Sequence, residues 1–156
     1  MELIIRKADI KDAFYLFELA NDTETRKNSF TPDLIYWEDH IKWFTQKIKA
    51  LDSLIYIVTH EEKNIGVIRF ERNEEVIISI TVDPNYRGMG FGSLMIEKGC
   101  NAFWTSNDDD VIAYVKSSNI ASVKIFIKAK FKITKQVYIS NVHCYKLTAS
   151  KHEKGK

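Results

Sequence analysis

Ile78-Ser79-Ile80-Thr81-Val82-Asp83-Pro84-Asn85-Tyr86-Arg87-Gly88-Met89-Gly90-Phe91-Gly92-Ser93-Leu94-Met95-Ile96-Glu97 is the stretch whose reading decides the fold. Residues 76–82 are a β-branched, apolar run of strand length, Asp83-Pro84-Asn85 stops it, and a helical pattern starts at Ser93. Between them, Gly88, Gly90 and Gly92 remove Cβ atoms where backbone must come close to something. A helix opening after such a loop aims free N–H groups and the positive end of its dipole at an anion, so the loop is expected to hold a phosphate or pyrophosphate.

Working outward, Leu3 to Lys7 reads as a strand, and Asp9 stands at an N-cap position before a helix through Ala13, Phe14, Leu16, Phe17 and Ala20. Residues 23–32 show no apolar period and read as a ten-residue loop of the kind that carries function. A second helix is expected over Asp33 to Ala50, with Trp37, Ile41, Phe44 and Ile48 on its apolar face. His40 lies on it, either hydrogen-bonded within the fold or touching a substrate. Leu54 to Thr59, Ile65 to Glu71 and the strand ending at Val82 form an antiparallel meander, the first pair joined by a turn at His60 to Asn64. After the helix from Ser93 to Trp104, Val111 to Val115 is a short buried strand, which makes that helix a crossover between parallel strands. A helix from Asn119 and a hairpin of Phe131 to Tyr138 with Ser140 to Leu147 complete the chain. The expected fold is a mixed α/β sheet, mostly antiparallel and splayed at one parallel pair, with about four helices.

One domain over residues 1–148 suits the 156-residue length, with a basic, flexible tail at 149–156. A net charge of +2 predicts no nucleic-acid partner. No apolar run approaches the ~20 residues of a spanning helix, and Met1 leads into a strand-like segment rather than a signal peptide. A cytoplasmic location without membrane attachment is therefore expected. Cys100 and Cys144 lack metal-ligand spacing, so buried thiols and no metal site are expected.

The glycine loop has neither the Lys-Ser/Thr ending of a P-loop nor the spacing of the dinucleotide fingerprint, and the kinase motifs are missing. Val82-x-Pro84-x-x-Arg87-Gly88-x-Gly90-x-Gly92 resembles motif A of the GCN5-related N-acetyltransferases (GNAT). Asn119-x-x-Ser122-x-x-x-Phe126-x-x-x-x-Phe131 is similar to the family's Asn-x-x-Ala/Ser to Gly-Phe segment, and the element order agrees over nearly the whole chain.

That resemblance implies acetyl-CoA as co-substrate, no metal, and direct attack by an amine on the thioester. Ile80 and Val82 would pair with the pantetheine arm through their main chains, with Asn119 and Phe126 beside it. Arg87, Gly88, Met89, Gly90, Phe91, Gly92 and Ser93 would cradle the pyrophosphate. For the base, Glu74 and Glu75 stand at the start of the motif A strand. Phe126 occupies the place of the family's acidic tyrosine, so Tyr138, Tyr114, Tyr145 or water would reprotonate CoA. Lys130 replaces the glycine before Phe131, at a cost of about 1 kcal/mol if that position is left-handed.

The segments Asn21 to Phe30, Ile35 to Phe44 and Gly66 to Phe70 resemble acetyltransferases acting on nucleotide-linked amino-dideoxy sugars of the pseudaminic or legionaminic acid routes of surface polysaccharide biosynthesis. Arg26, Asn28, Ser29, His40 and Arg69 would then meet sugar hydroxyls or phosphates. More loosely, the same region is similar to ribosomal-protein N-terminal acetyltransferases. A catalytically silent acyl-CoA-binding module is the alternative from another class, and a homodimer is compatible with the resemblance.

Overall fold

The structure is a computed structural model and describes residues 2–153. Seven strands make one sheet in the order β1-β2-β3-β4-β5-β7-β6. They are β1 (Ile4–Lys7), β2 (Ser53–His60), β3 (Lys63–Arg72), β4 (Val76–Val82), β5 (Val111–Lys116), β6 (Lys132–Ile139) and β7 (Val142–Ala149). Five α-helices accompany them: α1 (Ala13–Ala20), α2 (Thr23–Asn28), α3 (Trp37–Lys47), α4 (Phe91–Trp104) and α5 (Ile120–Lys128). Every strand pair is antiparallel except β4 with β5. The expected mixed sheet is therefore what forms.

Alternation along the strands sends one set of side chains to each face. Ile68, Phe70, Val76, Ile78, Val111, Ala113, Val115 and Leu147 pack against Met95, Ile96, Phe103 and Phe126 from α4 and α5. On the opposite face a smaller cluster joins Ala13 and Leu16 of α1 and Phe44 of α3 to Ile55 and Ile57 of β2. Cys100 and Cys144 are both buried. No helix of the described residues is long and apolar enough to cross a membrane.

The parallel pair positions the site. β3 accompanies β4 from Val76 to Val82, but β5 meets β4 only at Val76↔Val111 and Ile77↔Ile112. From Ile78 onward β4 has no β5 neighbour, while β5 keeps its other edge paired with β7 to Lys116. The two strands part like a V, leaving backbone donors and acceptors of β4 for a guest.

Several boundaries differ from the sequence expectation. Residues 23–28 are helical, not loop: Asp22 caps α2 by accepting from Thr25 N at 3.2 Å, Glu24 sits in the first turn and Arg26 and Lys27 in the last. None of its residues is buried, so it carries no apolar period and is set by its cap and its dipole alone. α3 starts at Trp37, not Asp33, because Asn21 zips the preceding segment open, its side chain donating to Ile35 O and accepting from Ile35 N, both at 2.8 Å. α4 begins at Phe91, two residues before the expected start. At the C-terminal end β7 runs to Ala149, and Lys151 pairs with Asp108 at 2.7 Å, so the expected tail begins inside the fold; Met1 and residues 154–156 lie outside the described residues.

Candidate active site

Where β4 and β5 part, a cavity of about 600 Å3 opens. Its floor is Ile78 to Val82 of β4 and Ala113 to Lys116 of β5; Gly88, Gly90 and Gly92 close one end, Asn119 and Phe126 one flank, and α2 with Phe30 the other end. Gly88 and Gly90 adopt φ of 74° and 85°. A Cβ on Gly88 would meet nothing within 4 Å, so glycine is used there for its conformation and not for space inside the chain. Gly92 is the opposite case, since its Cβ would lie 2.9 Å from Ile125 of α5. Gly90 is the N-cap of α4 without a side-chain cap, which leaves the first-turn N–H groups pointing into the loop.

Among the residues expected to hold the cofactor, Ile80, Val82, Arg87, Gly88, Gly90, Phe91, Gly92, Asn119 and Phe126 line this cavity, whereas Met89 and Ser93 do not. Phe91 contributes backbone only, its ring being buried at 6.0 Å from Tyr86. Asn119 caps α5, its Oδ1 accepting from Ser122 N at 3.2 Å, so its Nδ2 is the group left for a guest. The Val82 carbonyl already accepts from Arg87 Nε at 3.2 Å.

A second cavity, of about 360 Å3, lies on the α1 and α3 side of the sheet. Leu16, Leu19, Ile35, Ile55, Val67 and the Trp43 indole wall it, and it shares Thr25, Arg26, Arg69, Ser79 and Thr81 with the first. The two cavities therefore abut at these residues, beside β4.

Most of the expected acceptor residues are spent on the fold. Arg26 donates from Nε to Ala20 O at 2.5 Å and from Nη1 to Thr31 O at 2.9 Å, tying the segment after α2 to the end of α1. Asn28 Nδ2 donates to Glu24 O, and Ser29 Oγ accepts from Thr31 N. His40 is 3% exposed and donates from Nε2 to Ala13 O at 2.8 Å; burial pulls its pKa down, which keeps it neutral. Arg69 alone of the five is not fixed by a hydrogen bond.

The base and acid candidates separate in the same way. Glu74 is exposed on a turn, and Tyr138 is 75% exposed on β6, outside the cavity lining. Glu75 is held by Lys146 at 2.7 Å and by the Tyr114 hydroxyl at 2.5 Å, and those bonds pull its carboxyl below the ordinary range. Tyr114 lines the cavity; burial and Glu75 push its phenol upward. Phe126, 2% exposed, stands edge-on to Phe131.

One connection was not visible in the sequence. Arg87, in the glycine loop, donates from Nη2 to Asp22 Oδ2 at 2.7 Å, the same oxygen that caps α2. Tyr15 of α1 donates to Asp83 at the end of β4 at 3.0 Å. Both helices on the acceptor side thus grip the cofactor loop.

Residues 2–132 match the acetyltransferase (GNAT) domain family. The chain belongs to that family. It is an acetyl-CoA-dependent acetyltransferase. Spermidine N-acetyltransferase from Vibrio cholerae, solved with CoA and spermine, has a similar structure, with a TM-score of 0.88, 14% identity, and coverage of 99% of this chain and 98% of that one. The aminoglycoside acetyltransferase AAC(6')-Ib, in complex with ribostamycin and coenzyme A, gives 0.86 at 12% identity, covering 100% and 97%. A GNAT-family acetyltransferase from Streptococcus pneumoniae gives 0.75 at 20%, covering 96% and 99%. No curated protein sequence matches the chain. At such identities the GNAT fold is shared and the acceptor is open, and neither comparison supports the amino-sugar subfamily expected from the acceptor segments.

Proposed function

We propose that this GNAT protein N-acetylates a small primary amine lying over Arg69, Ser79 and Thr81, with the amine attacking the thioester where β4 leaves β5. The observation that carries this reading is that the two cavities share those residues as lining. CoA in the V and an acceptor in the second cavity would meet across β4, and holding two reactants in line supplies much of the rate of such a transfer. Main-chain N–H groups at the open edge of β4 are the donors available to the thioester carbonyl.

Glu75 is an unwilling base, since Lys146 and Tyr114 stabilise its anion. A neutral amine, deprotonated through solvent in the open passage, suits this site better. The Tyr114 phenol, the tyrosine whose hydroxyl bonds at the β4–β5 fork, is the candidate to reprotonate CoA thiolate. Within the amine class we favour a nucleotide-linked 4-amino-dideoxy sugar. The apolar wall of the second cavity suits the deoxygenated face of such a ring, and the exposed mouth leaves room for the nucleotide.

The test is CoA binding by calorimetry followed by CoA thiol release with a UDP-4-amino-dideoxy sugar, a basic N-terminal peptide and spermidine. Release fastest with the sugar supports the reading. Release fastest with the peptide replaces the sugar by a polypeptide N-terminus, and binding without release from any amine makes the chain a silent CoA-binding module.

A further inference from the structure

The five arginines of the chain divide four to one. Arg6 donates two bonds to Asp12, Arg26 bonds backbone carbonyls, Arg72 bonds Asp109 and Arg87 bonds Asp22. Arg69 donates no hydrogen bond among the described residues, and its Nε is buried without one. The carboxylate beside it, Glu71, stands 3.3 Å from Nε outside hydrogen-bonding geometry and is shared with Lys47 at 3.5 Å. Two cations therefore share one anion, and the excess charge lies on the floor of both cavities.

We propose that Arg69 is an anion receptor inside the acceptor cavity, so that the amine acceptor carries a carboxylate or phosphate and amines lacking one, polyamines included, are poor substrates. The inference rests on the acetyltransferase reading above and names the acceptor class for that site. An arginine N–H withdrawn from water without a hydrogen bond is costly, and an anionic guest on the guanidinium offsets that cost. Its placement suits this use. The guanidinium carbon lies 5.1 Å over the Trp43 ring, which fixes the plane of the fork while leaving its N–H edge for a carboxylate or phosphate. A third of the side chain, 35%, remains exposed, and it opens into the passage. Ser79, opposite Arg69 in the β3–β4 register, and Thr81 supply hydroxyls at the same depth. β4 is one strand away, so the anion and the reacting amine would be about 5–10 Å apart, one to two strand spacings.

The competing charges are Glu24 and Asp39, which also line the passage, but at exposed positions where water and salt screen them. Arg26 adds no free N–H fork, its guanidinium being tied to carbonyls.

The experiment compares three amines with acetyl-CoA: 2,4-diaminobutyrate for the carboxylate, a UDP-4-amino-dideoxy sugar for the phosphate, and spermidine for neither. Each is assayed by thiol release and by calorimetric binding to the CoA-saturated protein, with wild type, Arg69→Gln and Arg69→Lys. The expected result is that one anionic amine binds best. Arg69→Gln should then raise its KM and Kd roughly 10- to 100-fold with a smaller change in kcat, Arg69→Lys should restore part of the loss, and spermidine should bind no worse to Arg69→Gln than to wild type. Which anionic amine leads tells carboxylate from phosphate. Spermidine binding as tightly as the anionic amines to wild type, no anion-dependent binding at all, or equal losses for every amine in Arg69→Gln would each overturn the proposal. CoA binding in all three proteins reports that the variants are folded. Failure of wild type to bind CoA would instead overturn the acetyltransferase reading.

Discussion

At the cofactor end of the passage the polar groups facing the cavity are mostly main-chain N–H groups of a glycine loop and a helix start, whereas at the acceptor end they are side chains brought from α2, α3 and the two strands β3 and β4. Backbone polar groups are placed by φ and ψ, and φ above zero favours glycine, so the cofactor end writes its requirement into a short run of sequence. Side-chain receptors need only the right neighbour in space. The nearest example is Arg26, whose partners Ala20 and Thr31 lie six and five residues away around a helix that shows no apolar period.

The sharpest way to break this division is to strike the element the two ends share. Gly66 of β3 sits where a Cβ would lie 2.4 Å from Thr81 O and 2.7 Å from Met95 Cε. Gly66→Ala must therefore push β4 outward at Thr81 and Val82, the edge that serves both cavities. The expected cost is about 2–3 kcal/mol of stability, with loss of both CoA and amine binding. Denaturant unfolding and calorimetry check this. Normal amine binding with lost CoA binding would show that the ends are less joined at β4 than the geometry requires.

Gly90→Ala strikes one end only. Its φ of 85° is left-handed, so an added Cβ costs about 1–2 kcal/mol or forces the cradle to rearrange. CoA affinity should fall roughly tenfold or more, while amine binding to the CoA-saturated protein changes little. Equal losses for both would contradict the separation of the two ends.

These two sites also mark what could be read in advance. The seven strands follow from alternation and β-branched runs, and the loop follows from its glycines. Lys130, whose cost is conditional on a left-handed backbone, does adopt one, with φ of 75°. What escaped reading lacks a local signal. The turn expected at His60 to Asn64 forms, but its left-handed φ of 49° and 65° at Glu61 and Glu62, without any glycine or asparagine at those positions, is imposed by strand pairing and not by turn chemistry. α2 buries nothing, and the bonds of Arg87 to Asp22 and His40 to Ala13 span 65 and 27 residues. A side chain expected to meet substrate and one expected to brace the fold look the same in sequence, because the partner decides.

The third prediction tests the bridge between the ends. Asp22 accepts from Arg87 of the loop and caps α2, so Asp22→Asn should cost about 1 kcal/mol, weaken CoA binding a few-fold and raise the amine KM together with it. A double-mutant cycle with Arg87→Gln should show coupling of that order. The pH dependence has a defined sign. Burial alone would raise the Asp22 carboxyl, but hydrogen bonds from Arg87 and Thr25 and the Arg87 charge outweigh it, so it titrates below its ordinary 3.8. A depressed folded value means that the link is fully present above 3.8 and is lost only as pH falls through the lower folded value. CoA affinity should therefore show no pH dependence arising from Asp22 across the neutral range.

The smallest effect comes from the same end as the glycine loop but runs in the opposite direction. Lys130 follows α5 in the left-handed position that closes the helix, its N–H donating to Ile127 O at 3.0 Å while Phe131 N–H reaches Phe126 O at 3.0 Å. Lysine adopts that conformation against its Cβ, and nothing in the cavity lining uses its side chain. Lys130→Gly should therefore stabilise the fold by about 0.5–1 kcal/mol and leave the Kd for CoA unchanged, as read by thermal unfolding with and without CoA. An added glycine would thus strengthen the backbone-built end of the molecule where it carries no ligand. Tighter CoA binding in this variant would mean that the seating of α5, with Asn119 at its head and Phe126 in its second turn, limits the cofactor site. The boundary of the backbone-built end would then extend from the loop through the whole of α5.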